Sequence, residues 1–149
     1  MAISQTLTDA FLQDCLDGAQ NLGTSGNTLK IALYTSSASL GATSSAYSAT
    51  NEVSGTGYTA GGATLSSQAV AFDSTNQVAY FDAADPAWTT ATITARGALI
   101  YNNTKSNASI AVLDFGSDYT STAGTFTVQL PSAAYNLSLI HISEPTRPY

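Results

Sequence analysis

The feature that most constrains the fold of this chain is an alternation of apolar and polar residues with a period of two. Over residues 29–34 the apolar side chains Leu29, Ile31 and Leu33 occupy every second position, which predicts a half-buried strand. Further strands are predicted at residues 63–72, 77–82, 91–102, 110–115 and 125–130. Turn-forming runs separate them at residues 74–76, 102–107, 116–118 and 121–124. This pattern predicts a mainly β chain, an antiparallel β-sandwich or jelly-roll-like domain.

One N-terminal helix is predicted at about residues 6–17. Apolar residues recur there at helical spacing. The stripe expected to pack on the sheet comprises Leu7, Phe11, Leu12, Cys15 and Leu16. Thr6 is the predicted N-cap and Gly18 is placed to end the helix. Cys15 is predicted to be a small buried hydrophobe on this stripe.

The predicted core joins that stripe to the inward-facing residues of the strands. Its strand residues are Leu29, Ile31, Leu33, Val78, Tyr80, Ile93, Leu99, Ile110, Val112, Phe126 and Val128. Pro86 between Asp85 and Trp88 predicts a turn that pins the only Trp against the sheet. Structural packing, rather than ligand stacking, is therefore the predicted role of Trp88.

The charge and the hydropathy of the chain limit the classes of partner that it is expected to bind. Four basic and ten acidic residues give a net charge of −6, and such a surface repels phosphate, so no nucleic-acid partner is predicted. No apolar run approaches the ~20 residues of a membrane span, so no membrane partner is predicted either. Residues 1–136 are expected to form a single β-rich domain.

Residues 1–136 contain no His, the usual base for a nucleophilic Ser, Thr or Cys. Two carboxylate pairs, Asp82 with Asp85 and Asp114 with Asp118, leave two alternatives open: a glycoside hydrolase and a calcium site. Neither the surrounding residues nor their spacing supports a specific motif. The prediction is a protein that is not an enzyme and has no catalytic residue, cofactor or metal.

Arg96 lies in the middle of a predicted strand, where a charge is costly unless it is paired or at the surface. It is either an exposed-face residue or the cation of a structural ion pair with Asp82 or Asp114. A third alternative is that its guanidinium contacts carbonyl groups of the Gly-rich loop within residues 36–62. The neighbouring Gly97 suggests a bulge or a close backbone approach.

The longest irregular stretch is residues 36–62, composed almost wholly of Ser, Thr, Ala, Gly and Tyr, with a single charge at Glu52. A loop of this length inside a compact domain is either functional or mobile.

Residues 137–149 (LSLIHISEPTRPY) resemble a translated sequencing adapter. They are expected to be a non-native tail without function, and to include the only histidine, His141. By coincidence residues 137–142 alternate like a strand, so they could imitate one.

The order of elements resembles a family of small, uncharacterised structural (virion) proteins of tailed bacteriophages. The likeness covers nearly all of residues 1–130. Its most specific pieces are NEVSGTGYTAGG at 51–62, FDAADPAW at 81–88 and ARGALIY at 95–101.

The resemblance implies a non-enzymatic protein of the virion, made in the host bacterial cytoplasm. The leading hypothesis is a capsid-associated decoration or cement protein bound to other virion proteins, above all the capsid lattice, through an exposed strand edge and a partner-binding loop. That loop comprises Asn51, Glu52, Gly55, Gly57, Tyr58, Gly61 and Gly62. A homo-oligomer in the particle is left open.

The alternative is a tail-associated host-recognition or carbohydrate-binding module. A sugar binder should cluster Trp88 and several Tyr on one exposed face, whereas a cement protein should bury them.

Overall fold

The computed structural model describes residues 2–130, which form a mainly β structure with one short helix. In chain order the elements are β1 (Thr6–Leu7), α1 (Asp9–Leu16), β2 (Leu29–Tyr34), β3 (Ala63–Thr64), β4 (Ala69–Asp73), β5 (Val78–Asp82), β6 (Ala87–Asn102) and β7 (Ala108–Thr127). No helix of this part of the chain is long and apolar enough to cross a membrane. The expectations for residues 137–149 lie outside the described residues.

Antiparallel pairing organises all of these strands. A five-stranded sheet has the order β1-β7-β6-β2-β3, and β4 pairs with β5 in a separate two-stranded sheet. The predicted class, mainly β and antiparallel with one N-terminal helix, is confirmed. The sandwich or jelly-roll arrangement is not confirmed, because the second sheet formed within residues 2–130 is only this hairpin.

Both faces of the sheet are buried along β2, along residues 97–102 of β6 and along residues 109–113 of β7. On β2, Ile31 and Leu33 face one hydrophobic cluster, while Ala32 and Tyr34 face a second cluster with Leu99 of β6. The prediction of a half-buried β2 was therefore wrong for Ala32 and Tyr34, which are 0% and 1% exposed. A sheet covered on both sides in this way is held more firmly than one that has a wet face.

The hairpin of β6 and β7 is longer than predicted. The strands expected at 110–115 and 125–130 belong to one strand, β7, and the turns expected at 116–118 and 121–124 lie within it. Register shifts interrupt the ladder, one of them between Ala95 and Gly97, so the predicted irregularity at Gly97 is confirmed. Gly116 has a φ of 82° and supplies the backbone conformation for this bulge.

The helix differs from its prediction at the start and in its packing. Thr6 and Leu7 pair with β7, so the helix begins at Asp9, and its N-cap is Thr8, whose hydroxyl accepts a hydrogen bond from the Phe11 amide at 3.3 Å. Gly18, with a φ of 70°, follows the C-cap as predicted. Only Phe11 of the helix is buried. Three members of the predicted stripe are exposed, namely Leu12, Cys15 and Leu16.

Leu7 of the predicted stripe is half-buried on β1. The strand residues predicted for the core are buried, with two exceptions. Val78 and Tyr80 are only half-buried, because they lie on the separate β4–β5 hairpin and not on the main sheet. The remaining strand residues predicted for the core are buried.

We expect Phe11→Ser to lower the free energy of unfolding by about 3 kcal/mol, because it opens a cavity and buries a hydroxyl. Phe11 is 1% exposed, whereas Leu16 on the same helix is 91% exposed. Leu16→Ser is the matched control and should change stability by less than about 0.5 kcal/mol. Urea denaturation of both variants is the measurement, and equal midpoints would contradict the observed packing of the helix.

Candidate functional site

Residues 36–62 cover parts of both faces of the sheet: Ala38, Leu40 and Tyr47 belong to the second cluster, whereas Val53 and Tyr58 belong to the first. Ala38 is buried in the cluster formed by Tyr34, Leu99 and Tyr101, and Tyr47 packs against it. The rings of Tyr47 and Tyr101 stack with centroids 4.8 Å apart. The segment predicted to be either functional or mobile is therefore tied to the sheet by specific packing.

Glu52 is the centre of this cover. Its carboxylate accepts hydrogen bonds from the hydroxyls of Tyr47 and Tyr58 and from the amide of Gly61, each at 2.7 Å. Hydrogen bonds to a charged acceptor are stronger than neutral ones. The only charge of the segment thus joins its two halves.

Tyrosine hydroxyls attach the same segment to the strands. Tyr34 donates to the Ser48 carbonyl at 2.6 Å, and Tyr101 donates to the Gly61 carbonyl at 2.7 Å. The Tyr58 hydroxyl, which donates to Glu52, also accepts from the Leu33 amide at 2.9 Å. Backbone and side-chain groups of β2 and β6 are thereby satisfied by the loop.

Two glycines allow the backbone of the loop to approach the strands. A Cβ on Gly57 would lie 2.8 Å from the Ala91 Cα, and a Cβ on Gly62 would overlap the Ile31 carbonyl oxygen. Such close approach is a common reason for a glycine beside a strand.

The predicted partner-binding residues are thus brought together, but mostly for internal contacts. Glu52 and Tyr58 bind each other, and Gly61 contributes both its amide and its carbonyl. Exposed members of the set are Asn51, Gly55 and Gly57. A partner contact by this loop stays a prediction, and Glu52 is already engaged within the molecule.

Burial and Glu52 raise the pKa values of the tyrosines around it. The pKa of Tyr47 rises to about 12 through burial and its hydrogen bond to Glu52. The pKa values of Tyr34, Tyr58 and Tyr101 are raised too, with burial as the largest cause and Glu52 contributing in each. Ionising any of these hydroxyls inside the fold is unfavourable.

We therefore expect stability to fall as the pH rises above about 10. An unfolded tyrosine loses its proton near pH 10, while the folded chain retains it to about pH 12 at Tyr47. Between these values the folded state binds more protons, so the free energy of unfolding decreases with pH, and it is unaffected by these groups below about pH 10. Urea midpoints at pH 8 and pH 11 test this, with absorbance of the phenolate as a direct titration. Equal midpoints would contradict it.

Arg96 forms an ion pair, but with a carboxylate other than the predicted ones. Its Nε lies 2.8 Å from Oδ1 of Asp118, and both side chains are partly exposed. The predicted partner Asp82 accepts from the Ala83 amide and the predicted partner Asp114 from the Gly116 amide. The bulge in β7 accounts for this choice, because Ala95 pairs with Tyr119 while Gly97 pairs with Asp114.

The carboxylate pairs do not assemble into a metal site among residues 2–130, where no group of three or more His, Cys, Asp or Glu is placed to hold an ion. Asp85 instead accepts a hydrogen bond from the Leu130 amide at 2.7 Å.

Trp88 packs inside the molecule, as predicted. It is 6% exposed, and its ring lies 5.8 Å from that of Tyr58 and 6.3 Å from that of Phe126, measured between centroids. Tyr34 and Tyr101 are buried as well. The large aromatic side chains of the main sheet therefore form an interior and not an exposed stacking surface.

A surface that the sequence analysis missed is the hairpin of β4 and β5, here called the arm (residues 69–82). Val70 is 52% exposed and Phe72 is 60% exposed, although both are large apolar residues within a strand. Phe81 anchors the arm in the core of the main sheet. The available signal was the alternation of Val70 and Phe72 directly before a turn, which indicates a strand but not what covers its face.

The turn of the arm is well ordered by hydrogen bonds. Oδ1 of Asp73 accepts from the amides of Thr75 and Asn76, and its Oδ2 accepts from the Asn76 side chain at 2.7 Å. These bonds lower the pKa of Asp73, led by the one from the Asn76 side chain. The arm therefore presents its apolar residues on a preorganised hairpin with a negative charge next to the tip.

No family model, curated protein or solved structure matches this chain.

Proposed function

We propose that this protein is a structural component of a tailed-phage particle that acts by binding other virion proteins, on the head and in the manner of a decoration or cement subunit. The proposal starts from the resemblance of residues 1–130 to phage structural proteins. It assigns the protein a binding surface and no reaction.

The observation that carries the proposal is the distribution of the large apolar side chains. Trp88 and Tyr101, which a sugar-binding module would display, are 6% and 2% exposed. Val70 and Phe72 are instead exposed on the arm. Apolar residues presented together on a surface strand are typical of protein-binding sites.

The rest of the fold suits this role. The cover held by Glu52 fixes the sheet, and Phe81 connects the arm to that sheet. A rigid support lowers the entropy that a binding surface loses on contact. In this proposal the arm is the main contact, and the exposed part of residues 36–62 is secondary.

Co-sedimentation with purified heads and tails of a phage that encodes this protein tests the proposal. We expect the protein to sediment with heads at moderate salt, and Phe72→Ser to weaken binding by tenfold or more, about 1.4 kcal/mol. Leu16→Ser is the control, since it removes an exposed leucine far from the arm in sequence. Binding only to tails, or only to host polysaccharide, would contradict the head assignment and favour the recognition module.

A further inference from the structure

The arm leaves one edge of β4 open. Strand β4 pairs with β5 on one side, and among the described residues no strand pairs with its other side. A two-stranded hairpin is marginal by itself, and its free backbone groups can accept another strand. The edge carries neither Lys nor Pro, which commonly block such pairing.

The register of the hairpin shows which residues share a face. Val70 pairs with Phe81 and Phe72 pairs with Ala79, so these four lie on one face. Ala71 and Tyr80 lie on the opposite face. The apolar face thus runs from the core at Phe81 to the exposed end of the arm.

We propose that the open edge of β4 pairs with β4 of a second copy of this chain, antiparallel and about a two-fold axis at Ala71. In that register Phe72 of one copy lies opposite Val70 of the other, twice by symmetry. The two apolar faces join into one stripe across four strands, and Ala71 faces Ala71 on the other side. A shift by one residue would place the apolar face of one copy beside the opposite face of the other, so the pattern selects this register.

The charges permit this pairing and predict how it responds to salt. Asp73 falls opposite Ala69 of the second copy, so no two carboxylates oppose one another directly. Each chain nevertheless carries a net charge of −6, which repels the second copy at long range. Screening by salt should therefore strengthen the association. A basic-rimmed groove of another protein would give the opposite salt dependence, because Asp73 and Asp82 would attract it.

The size of the contact sets its strength. A contact between two β4 strands of five residues buries less accessible surface than the ~1,200 Å² of a stable specific interface. The dimer is therefore weak in dilute solution. The inference rests on the proposed function, which places copies of the protein next to one another on a lattice. Copies held side by side on a lattice have a high effective concentration, at which a weak pairing is sufficient.

Disulfide trapping with the isolated full-length chain tests the register. Cys15 is exposed, so Cys15→Ser is the background. Ala71→Cys places two thiols directly opposite each other in the proposed dimer and should be oxidised to a covalent dimer about tenfold faster than the control Ala79→Cys. Ala79 is also exposed and lies on the same hairpin, but on β5, away from the axis.

Sedimentation velocity without added cysteines is the second measurement. We expect a monomer–dimer equilibrium that shifts toward dimer with salt and is abolished by Phe72→Asp. A monomer at all salt and protein concentrations, with Ala71→Cys oxidised no faster than Ala79→Cys, would overturn the inference. That result leaves head binding untouched, because co-sedimentation measures it separately; loss of head binding would likewise leave self-pairing standing.

Discussion

Replacing Gly62 with alanine is expected to lower the free energy of unfolding by about 5 kcal/mol, a large part of the stability of a domain of this size. Two effects add. Gly62 has a φ of 75°, which strains any residue with a Cβ, and the Cβ would also overlap the carbonyl oxygen of Ile31 and lie 2.7 Å from the Ala32 Cα. Neither neighbour can move easily, since both are backbone atoms of a central strand.

The close approach at Gly62 brings the end of residues 36–62 to the edge of the sheet. Directly after it, Ala63 pairs with Ile31, so displacement of Gly62 would also break β3 from β2. The matched control is Gly116→Ala. Gly116 has a φ of 82°, but its Cβ would meet nothing within 4 Å, so only the strain of about 1 kcal/mol applies. Urea denaturation of both variants is the measurement, and similar losses for the two would show that the contact with Ile31 is unimportant.

The sequence was sufficient to predict which residues of β2 share a face, but not what lies on each face. Period two places Ile31 and Leu33 together and Ala32 and Tyr34 opposite them. Whether that second face is wet depends on Ile3 and on residues 38–47, which follow β2 and fold back over it. The lone Glu52 among tyrosines was the available signal, because an isolated charge in such a segment needs donors nearby.

The helix and the bulge illustrate a second limit. The predicted stripe groups Leu12 and Leu16 with Phe11, yet only Phe11 is buried. The pairing of Thr6 with Val112 just before α1 fixes where the helix begins on the sheet. Similarly, Gly116 indicates a backbone conformation with positive φ, which occurs in turns and in bulges alike. Only the three-dimensional register determines that Arg96 meets Asp118.

Glu52→Ala is expected to cost about 4 kcal/mol of unfolding free energy. The substitution removes three hydrogen bonds to a charged acceptor, those from Tyr47, Tyr58 and the Gly61 amide. Each is worth about 1.5–3 kcal/mol at a buried site, and water replaces part of this because Glu52 is only half-buried. Glu52→Gln keeps an acceptor oxygen and should lose about half as much.

Asp118→Asn is the control for the loss of a carboxylate as such. Asp118 binds Arg96 at the surface with a side chain that is 46% exposed, and such pairs contribute less than about 1 kcal/mol. Urea denaturation should therefore rank Glu52→Ala far below Asp118→Asn in stability. Hydrogen exchange adds a local measurement. The Gly61 amide donates to Glu52, and the Val53 amide donates to the Leu33 carbonyl at 2.9 Å. In Glu52→Ala both amides should lose protection before those of the central strands, because the cover detaches while the sheet persists. Equal protection in the variant and the parent protein would mean that the tyrosine contacts with β2 and β6 hold residues 36–62 without the carboxylate.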